Sequence, residues 1–278
     1  MAPEATRTNL TAIALAGDLR RLGSPARARA MARYFKTGKG EYGEGDIFFG
    51  VTTPAMRDVA RKYRGLPLHE IENLLKNKVH ECRSAALVIL TWAYGHAGQA
   101  ERERIFRFYH SHTRWINNWD LVDISAGDIV GEHLLARRKA KLARLARSRW
   151  LWDRRIAIIA TGAFIARGRF KDTLNIARIL LHDEQDLIHK AVGWMLREVG
   201  KRSLATEEKF LARHAGTMPR TMLRYAIEKF PARKRAMYMA PGQRSRLRRL
   251  RSGSWRRRRH RGDTKQSKRK DLNDQEPA

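Results

Sequence analysis

Arg83-Ser-Ala-Ala-Leu87, Trp119-Asp-Leu-Val-Asp123, Arg155-Ile-Ala-Ile-Ile159 and Lys190-Ala-Val-Gly-Trp194 are four similar stretches whose first residues stand 36, 36 and 35 positions apart. A period of this size is what stacked helical hairpins produce, because each hairpin buries its apolar face only against its neighbours. If every stretch belongs to the second helix of its hairpin, equivalent positions share one surface. Trp119, Asp123, Arg155 and Trp194 then come together as an aromatic, acidic and basic set that core packing does not require. Arg and Asp rarely bury unpaired, so this reading puts the set on a surface groove. Arg83 and Lys190, in the same register, read as groove-facing cations.

Outward from these stretches, nearly every periodic segment has helical spacing, and no convincing alternating strand run appears. The spacing predicts helices near residues 8–21, 25–36, 54–64, 68–77, 80–95, 99–111, 117–135, 137–147, 151–167, 170–182, 185–199, 203–214 and 219–230. Ser24-Pro25 and Thr53-Pro54 each pair a capping residue with proline at the first helical position, where its missing N–H costs nothing. The exception is Thr37 to Val51, with five glycines and the pair Phe48-Phe49. It reads as an ordered loop anchored at its apolar end.

The chain has 278 residues and carries 58 Lys+Arg against 28 Asp+Glu, a formal charge of +30. Such an excess attracts polyanions at long range, which makes nucleic acid the leading partner. After Ala240 the composition changes. Residues 241–278 hold 14 Lys+Arg and 4 Asp+Glu, with Arg256-Arg-Arg-Arg-His-Arg261 at the centre, and read as a disordered basic tail. That segment supplies +10, so residues 1–240, read as one helical-repeat domain, remain near +20 by themselves.

The single cysteine, Cys82, excludes an intramolecular disulfide and a Cys-rich metal site. Its apolar helical context suits a small buried hydrophobe. No apolar run is long enough to span a bilayer, and no signal-type segment opens the chain. The expectation is a cytoplasmic protein, associated with the nucleoid when bound to DNA. No His-x-x-x-His pair or acidic cluster supports a metal, and Gly38, Gly40, Gly43 and Gly45 lack the strand and the Gly-Lys-Ser/Thr ending of a phosphate loop. No metal and no cofactor is expected.

Trp119 and Asp123 are four apart and stand one turn from each other on one helix face. Tryptophan faces attract cations and stack on bases, and arginine grips phosphate. A lone carboxylate in a basic cleft repels the DNA backbone unless it serves chemistry. Beside a deoxyribose it stabilises positive charge developing at C1′ and orients a water, as carboxylates do at glycosidic centres. That chemistry is N-glycosidic bond cleavage. Asp120 points about 100° away from Trp119 and reads as a structural ion-pair or capping residue. Trp92, Trp115, Trp150 and Trp152 read as core or hairpin-corner packing.

The chain also resembles the AlkD-like DNA alkylation repair glycosylases, which are built from HEAT-like repeats. The residues that carry the resemblance span roughly 20–235. They are Met31-Ala-Arg-Tyr-Phe-Lys36, Phe49-Gly-Val-Thr-Thr-Pro54 with Arg57, Trp119-Asp-Leu-Val-Asp123, Arg154-Arg-Ile-Ala-Ile158 and Lys190-Ala-Val-Gly-Trp-Met-Leu-Arg-Glu198. The resemblance implies that Tyr34, Trp119 and Trp194 line the lesion site, that Asp123 is the catalytic carboxylate, and that Arg155 contacts the DNA backbone. Lys190 suits phosphate binding better than Schiff-base chemistry, and the resemblance implies a monofunctional enzyme. The implied substrates are cationic N7- and N3-alkylated purines in duplex DNA, good leaving groups that need little acid catalysis. Where the family often has a second tryptophan before Trp119, this chain has Asn117-Asn118, and the loop after Tyr34 is longer than usual. The expected architecture is an all-α HEAT-like solenoid, an ARM-like superhelix, C-shaped around a basic concave groove and acting as a monomer. The competing classes are a non-catalytic nucleic-acid-binding module and a protein-interaction scaffold of the same fold.

Overall fold

The computed structural model describes residues 10–137 and 139–240. The basic segment 241–278 lies outside them. The described chain forms sixteen α-helices: α1 Ala12–Arg21, α2 Pro25–Tyr34, α3 Thr53–Lys62, α4 Leu68–Leu75, α5 His80–His96, α6 Gln99–Ser111, α7 Trp119–Asp123, α8 Glu132–Leu134, α9 Ala140–Leu145, α10 Leu151–Ile159, α11 Gly162–Ala166, α12 Lys171–Ile179, α13 Asp186–Arg202, α14 Leu204–His214, α15 Arg220–Ala226 and α16 Ala232–Met239. Among the described residues there is no β-strand, only an isolated bridge between Ile47 and Val79.

The 36-residue rhythm becomes a layer of helices. α5 packs on α7, α7 on α10, α10 on α13 and α13 on α15, while α4, α6, α9, α12 and α14 flank that layer. α13 shows why the layer forms. Ile188, Ala191, Val192, Met195, Leu196 and Val199 recur at helical spacing and are all buried, and each large apolar side chain contributes roughly 1.5–3 kcal/mol. The contact with α15 is close enough to demand glycine at position 193. A Cβ there would stand 2.4 Å from the Met222 carbonyl oxygen and 2.5 Å from the Tyr225 Cβ.

Capping chemistry sets several boundaries. α1 begins at Ala12 because the Thr11 hydroxyl accepts from the Ala14 N–H at 3.2 Å, and Ser24 caps α2 as its Ser-Pro pair predicts. α3 starts one residue earlier than expected, with Thr52 at its N-cap. α16 extends beyond the expected last helix, and its Tyr238 packs edge-on to Phe230 at 5.8 Å.

The expected continuous helix 117–135 is corrected. After α7 the chain makes a π-helical turn, Gly127–Gly131, before α8. The Ser125 hydroxyl donates to the Leu121 carbonyl at 2.6 Å, and the Gly131 N–H reaches back five residues to the Ala126 carbonyl at 2.9 Å. Competition of this kind widens the helix, and such turns are frequent near functional sites. Arg83 is corrected as well: it is 4 % exposed and faces no groove. Its guanidinium binds the Asp46 carboxylate at 2.6 Å and donates to the Asn77 carbonyl at 3.0 Å.

Candidate functional site

The candidate site residues lie on α7, α10 and α13 of the layer, with Tyr34 at the end of α2. α7 opens on Asn118, which is fully buried. The Asn118 side-chain oxygen accepts from the Trp119 N–H at 2.8 Å, and its amide donates to Asp46 at 3.3 Å. This cap fixes the direction in which Trp119 leaves the helix. The indole stacks on Phe35 with ring centres 5.2 Å apart and planes 14° apart, and Tyr34 meets it edge-on at 5.9 Å. Phe35 is buried, whereas Tyr34 is 66 % exposed. The cluster thus rests on the core and turns an aromatic surface to solvent.

One turn along α7, Asp123 pairs with Arg155 of α10. Arg155 Nε donates to one carboxylate oxygen at 2.9 Å and Nη2 to the other at 2.8 Å, while Nη1 donates to the Leu187 carbonyl of α13 at 2.6 Å. One guanidinium therefore ties three consecutive layer helices together. This differs from the surface position expected for Arg155. Its side chain is 6 % exposed and that of Asp123 is 16 %, so the fork is used on the carboxylate, which alone keeps a window to solvent. Burial raises the Asp123 pKa above its ordinary value; the charge and hydrogen bonds of Arg155 oppose this without cancelling it, and the neighbouring Asp120 adds to it.

Lys190 is partly exposed and pairs with Asp186 one turn earlier on α13 at 2.7 Å. One turn further along the same helix, the Trp194 indole N–H donates to Glu198 at 3.1 Å. Tyr34, Trp119, Asp123, Lys190 and Trp194 all retain some exposure. Cys82 is fully buried, and burial pushes its thiol up to about 12, as suits a packing residue. Trp152 is 3 % exposed, in keeping with core packing, whereas Trp150 at the α10 N-cap is 45 % exposed.

Two features escape a reading of sequence patterns. The first is a buried charge chain behind Trp119. The His80 imidazole is 2 % exposed and lies between Asp46, 3.0 Å from Nδ1, and Asp120, 2.7 Å from Nε2. Burial alone would lower its pKa, but the two carboxylates outweigh it and hold His80 at about 9. His80 is therefore an imidazolium at neutral pH, and its ring packs beside Phe35 and Phe48 at 4.8 Å each. Asp120 serves as the expected ion-pair residue, with His80 as its partner.

The second feature is Tyr42. The glycine-rich loop brings its ring to 6.2 Å from Trp152 and its hydroxyl within hydrogen-bonding reach of the Tyr34 carbonyl. Its position in the sequence, alone among glycines and charges, follows no helical or strand period. Only an aromatic residue isolated in a loop beside the Tyr34 motif hinted at it.

A protein-family model described as DNA alkylation repair enzyme matches residues 15–230. Among solved structures, a predicted DNA alkylation repair enzyme from Enterococcus faecalis superposes with a TM-score of 0.59 at 17 % identity, covering 76 % of this chain and 97 % of that one. At that identity the likeness speaks for the fold. No match is found among curated proteins.

Proposed function

Since this chain belongs to the DNA alkylation repair enzyme family, we propose that it is a monofunctional DNA glycosylase that hydrolyses the N-glycosidic bond of cationic N7- and N3-alkylpurines. The observation that carries this reading is Asp123, a carboxylate held in a fixed orientation by the Arg155 fork one turn from the solvent-facing edge of an aromatic cluster. A purely structural ion pair leaves its carboxylate as buried as its guanidinium, whereas Asp123 keeps a window to solvent, 16 % against 6 % for Arg155.

In this mechanism the tryptophan and tyrosine faces of Trp119, Trp194 and Tyr34 attract the positively charged purine. The C1′–N9 bond breaks, and its electron pair neutralises the purine, which leaves as a neutral base. Asp123 faces the oxocarbenium-like sugar and stabilises its charge. A water oriented by Asp123 forms the new C1′–O bond and passes its proton to the carboxylate, then to solvent. The product is an abasic site. Because the leaving group is already cationic, no general acid is required at the base.

Arg155 acts in this scheme as a positioning residue that keeps Asp123 aligned and ionised. Lys190 remains the proposed phosphate contact, since its ammonium is the partly exposed cation of the cluster. The body's charge near +20 supplies long-range attraction to duplex DNA held along a basic concave groove. All of these groups come from one chain, so one copy suffices.

The test is to incubate the protein with methylated duplex DNA and identify what is released. The reading expects free N7-methylguanine and N3-methyladenine with strands that break only after alkali. Release of no methylated base overturns it, and strand cleavage without alkali overturns the monofunctional assignment.

A further inference from the structure

We propose that His80 is a positioning residue for base release: it bolts the glycine-rich loop to the first turn of α7 and so holds the Trp119 face against which the lesion nucleotide is placed. The inference rests on the glycosylase reading above.

Helix α7 cannot set its own direction. It has five residues, and a helix of that length is not stable without tertiary contacts. Its two ends are held from two different repeats. At the C-terminal end Arg155 of α10 grips Asp123. At the N-terminal end the hold comes from α5, through His80.

His80 Nε2 donates to the Asp120 carboxylate at 2.7 Å, and Nδ1 donates to Asp46 Oδ2 at 3.0 Å. The same Asp46 oxygen accepts from the Asn118 amide at 3.3 Å, and Asn118 in turn caps the Trp119 N–H. Arg83 binds the other Asp46 oxygen at 2.6 Å. The bridge therefore lands on both sequence neighbours of Trp119, Asn118 and Asp120, and any displacement of His80 is passed to the indole between them. Rings reinforce it: Phe48 of the loop stacks on Phe35 at 5.2 Å, and Phe35 stacks on Trp119 at 5.2 Å.

The loop end of the bridge is itself a fixed point. The Asp46 side chain is 4 % exposed, and the backbone of Ile47 pairs with Lys78 and His80 at 3.1 and 2.8 Å. Beyond it the buried Glu81 carboxylate accepts from the N–H groups of Phe49, Gly50 and Val51 at 3.1, 2.8 and 3.1 Å. Buried carboxylates that satisfy consecutive backbone donors are a device for rigidity. The bridge also needs a doubly protonated imidazole. Its two N–H groups leave different edges of a rigid ring, whereas a glutamine amide carries both donors on one nitrogen. Held at about 9, the ring keeps both protons at neutral pH.

The test is a double-mutant cycle on the rate constant of N7-methylguanine release at pH 7, in single turnovers at saturating protein, where an unfolded fraction leaves the rate constant unchanged. Trp119→Ala is expected to release the base about tenfold more slowly than the wild type, the scale of a lost cation–aromatic contact. His80→Gln is expected to approach that loss without exceeding it, and to keep the affinity for undamaged duplex within about twofold of the wild type. Added to Trp119→Ala, His80→Gln is expected to cost no more than about a further twofold, because the face it positions has gone. A purely structural His80 slows both backgrounds alike, so losses that multiply overturn the inference, as does a wild-type rate for either single variant. If Trp119→Ala releases too little base to time, Trp119→Phe takes its place: a smaller His80→Gln loss in that background supports the inference and an equal one overturns it. Asp120→Asn, which keeps shape and removes the charge at the α7 end of the bridge, replaces His80→Gln if circular dichroism shows that the latter is unfolded. A wild-type protein that releases no methylated base overturns the glycosylase reading itself.

Discussion

Replacing Arg155 by methionine keeps an unbranched apolar stem, though a shorter one, and removes the charge that Asp123 faces. In the native protein the two groups meet through paired hydrogen bonds of 2.9 and 2.8 Å, with both side chains largely buried. At roughly 4 Å between charge centres, the attraction is about 4 kcal/mol at an effective dielectric constant of 20. The window that Asp123 keeps to solvent lets water recover part of this, leaving about 2 kcal/mol that no longer favours the ionised carboxylate. At 1.36 kcal/mol per pH unit, the acid limb of base release then moves upward by more than about one unit. The sign follows from the direction already present: burial raises the Asp123 pKa and Arg155 opposes the rise, so removing Arg155 lets burial act unopposed. The assay is single-turnover release of N7-methylguanine between pH 5 and 9. The variant should be most impaired at the acid end and recover toward alkaline pH, while the salt dependence of DNA binding stays that of the wild type. An acid limb that does not move refutes the argument. A salt slope reduced by about one refutes it differently, by showing that Arg155 neutralises a phosphate.

Two pH effects on stability follow from buried groups. His80 is held at about 9 against an ordinary 6.5, so its contribution is fully present below pH 6.5 and is lost as pH rises through 9. This amounts to roughly 3 kcal/mol, and urea titrations of His80→Gln should show that part of the pH dependence gone; an unchanged profile counts against the imidazolium. Glu207 is 1 % exposed, and burial pushes its carboxyl up to about 8 from 4.5. The fold therefore favours its protonated form, and stability falls as pH rises from 4.5 to 8. Glu207→Gln should be close to neutral at pH 4 and stabilising by several kcal/mol at pH 9, and a variant no more stable than wild type at pH 9 contradicts this.

The helical class and the layer of equivalent helices were legible because they depend on periodicity, which a linear sequence displays directly. The four stretches from Arg83, Trp119, Arg155 and Lys190 fall on α5, α7, α10 and α13. Side-chain partners were harder to read. Register put Arg83 and Arg155 on one surface, but whether a guanidinium meets solvent or a carboxylate depends on chain from other repeats. For Arg83 that chain is Asp46, 37 residues earlier; for Arg155 it is Asp123, 32 residues earlier. The break of the expected helix 117–135 was hidden because Ser125 and Gly131 are individually tolerable in helices. His80 and Tyr42 carry little sequence signal for a related reason. One sits at a helix start where its ring partners are remote in sequence, and the other sits in a loop whose course is set by the Glu81 carboxylate 30–32 residues downstream.

The role proposed for Asp123 stands or falls on single-turnover release of N7-methylguanine from duplex DNA by Asp123→Asn beside the wild type. The variant keeps size and shape but not charge. The expected rate loss is about 100-fold or more, with affinity for the same duplex equal to or tighter than wild type because a repulsive charge has gone. Release by Asp123→Asn at the wild-type rate would contradict it.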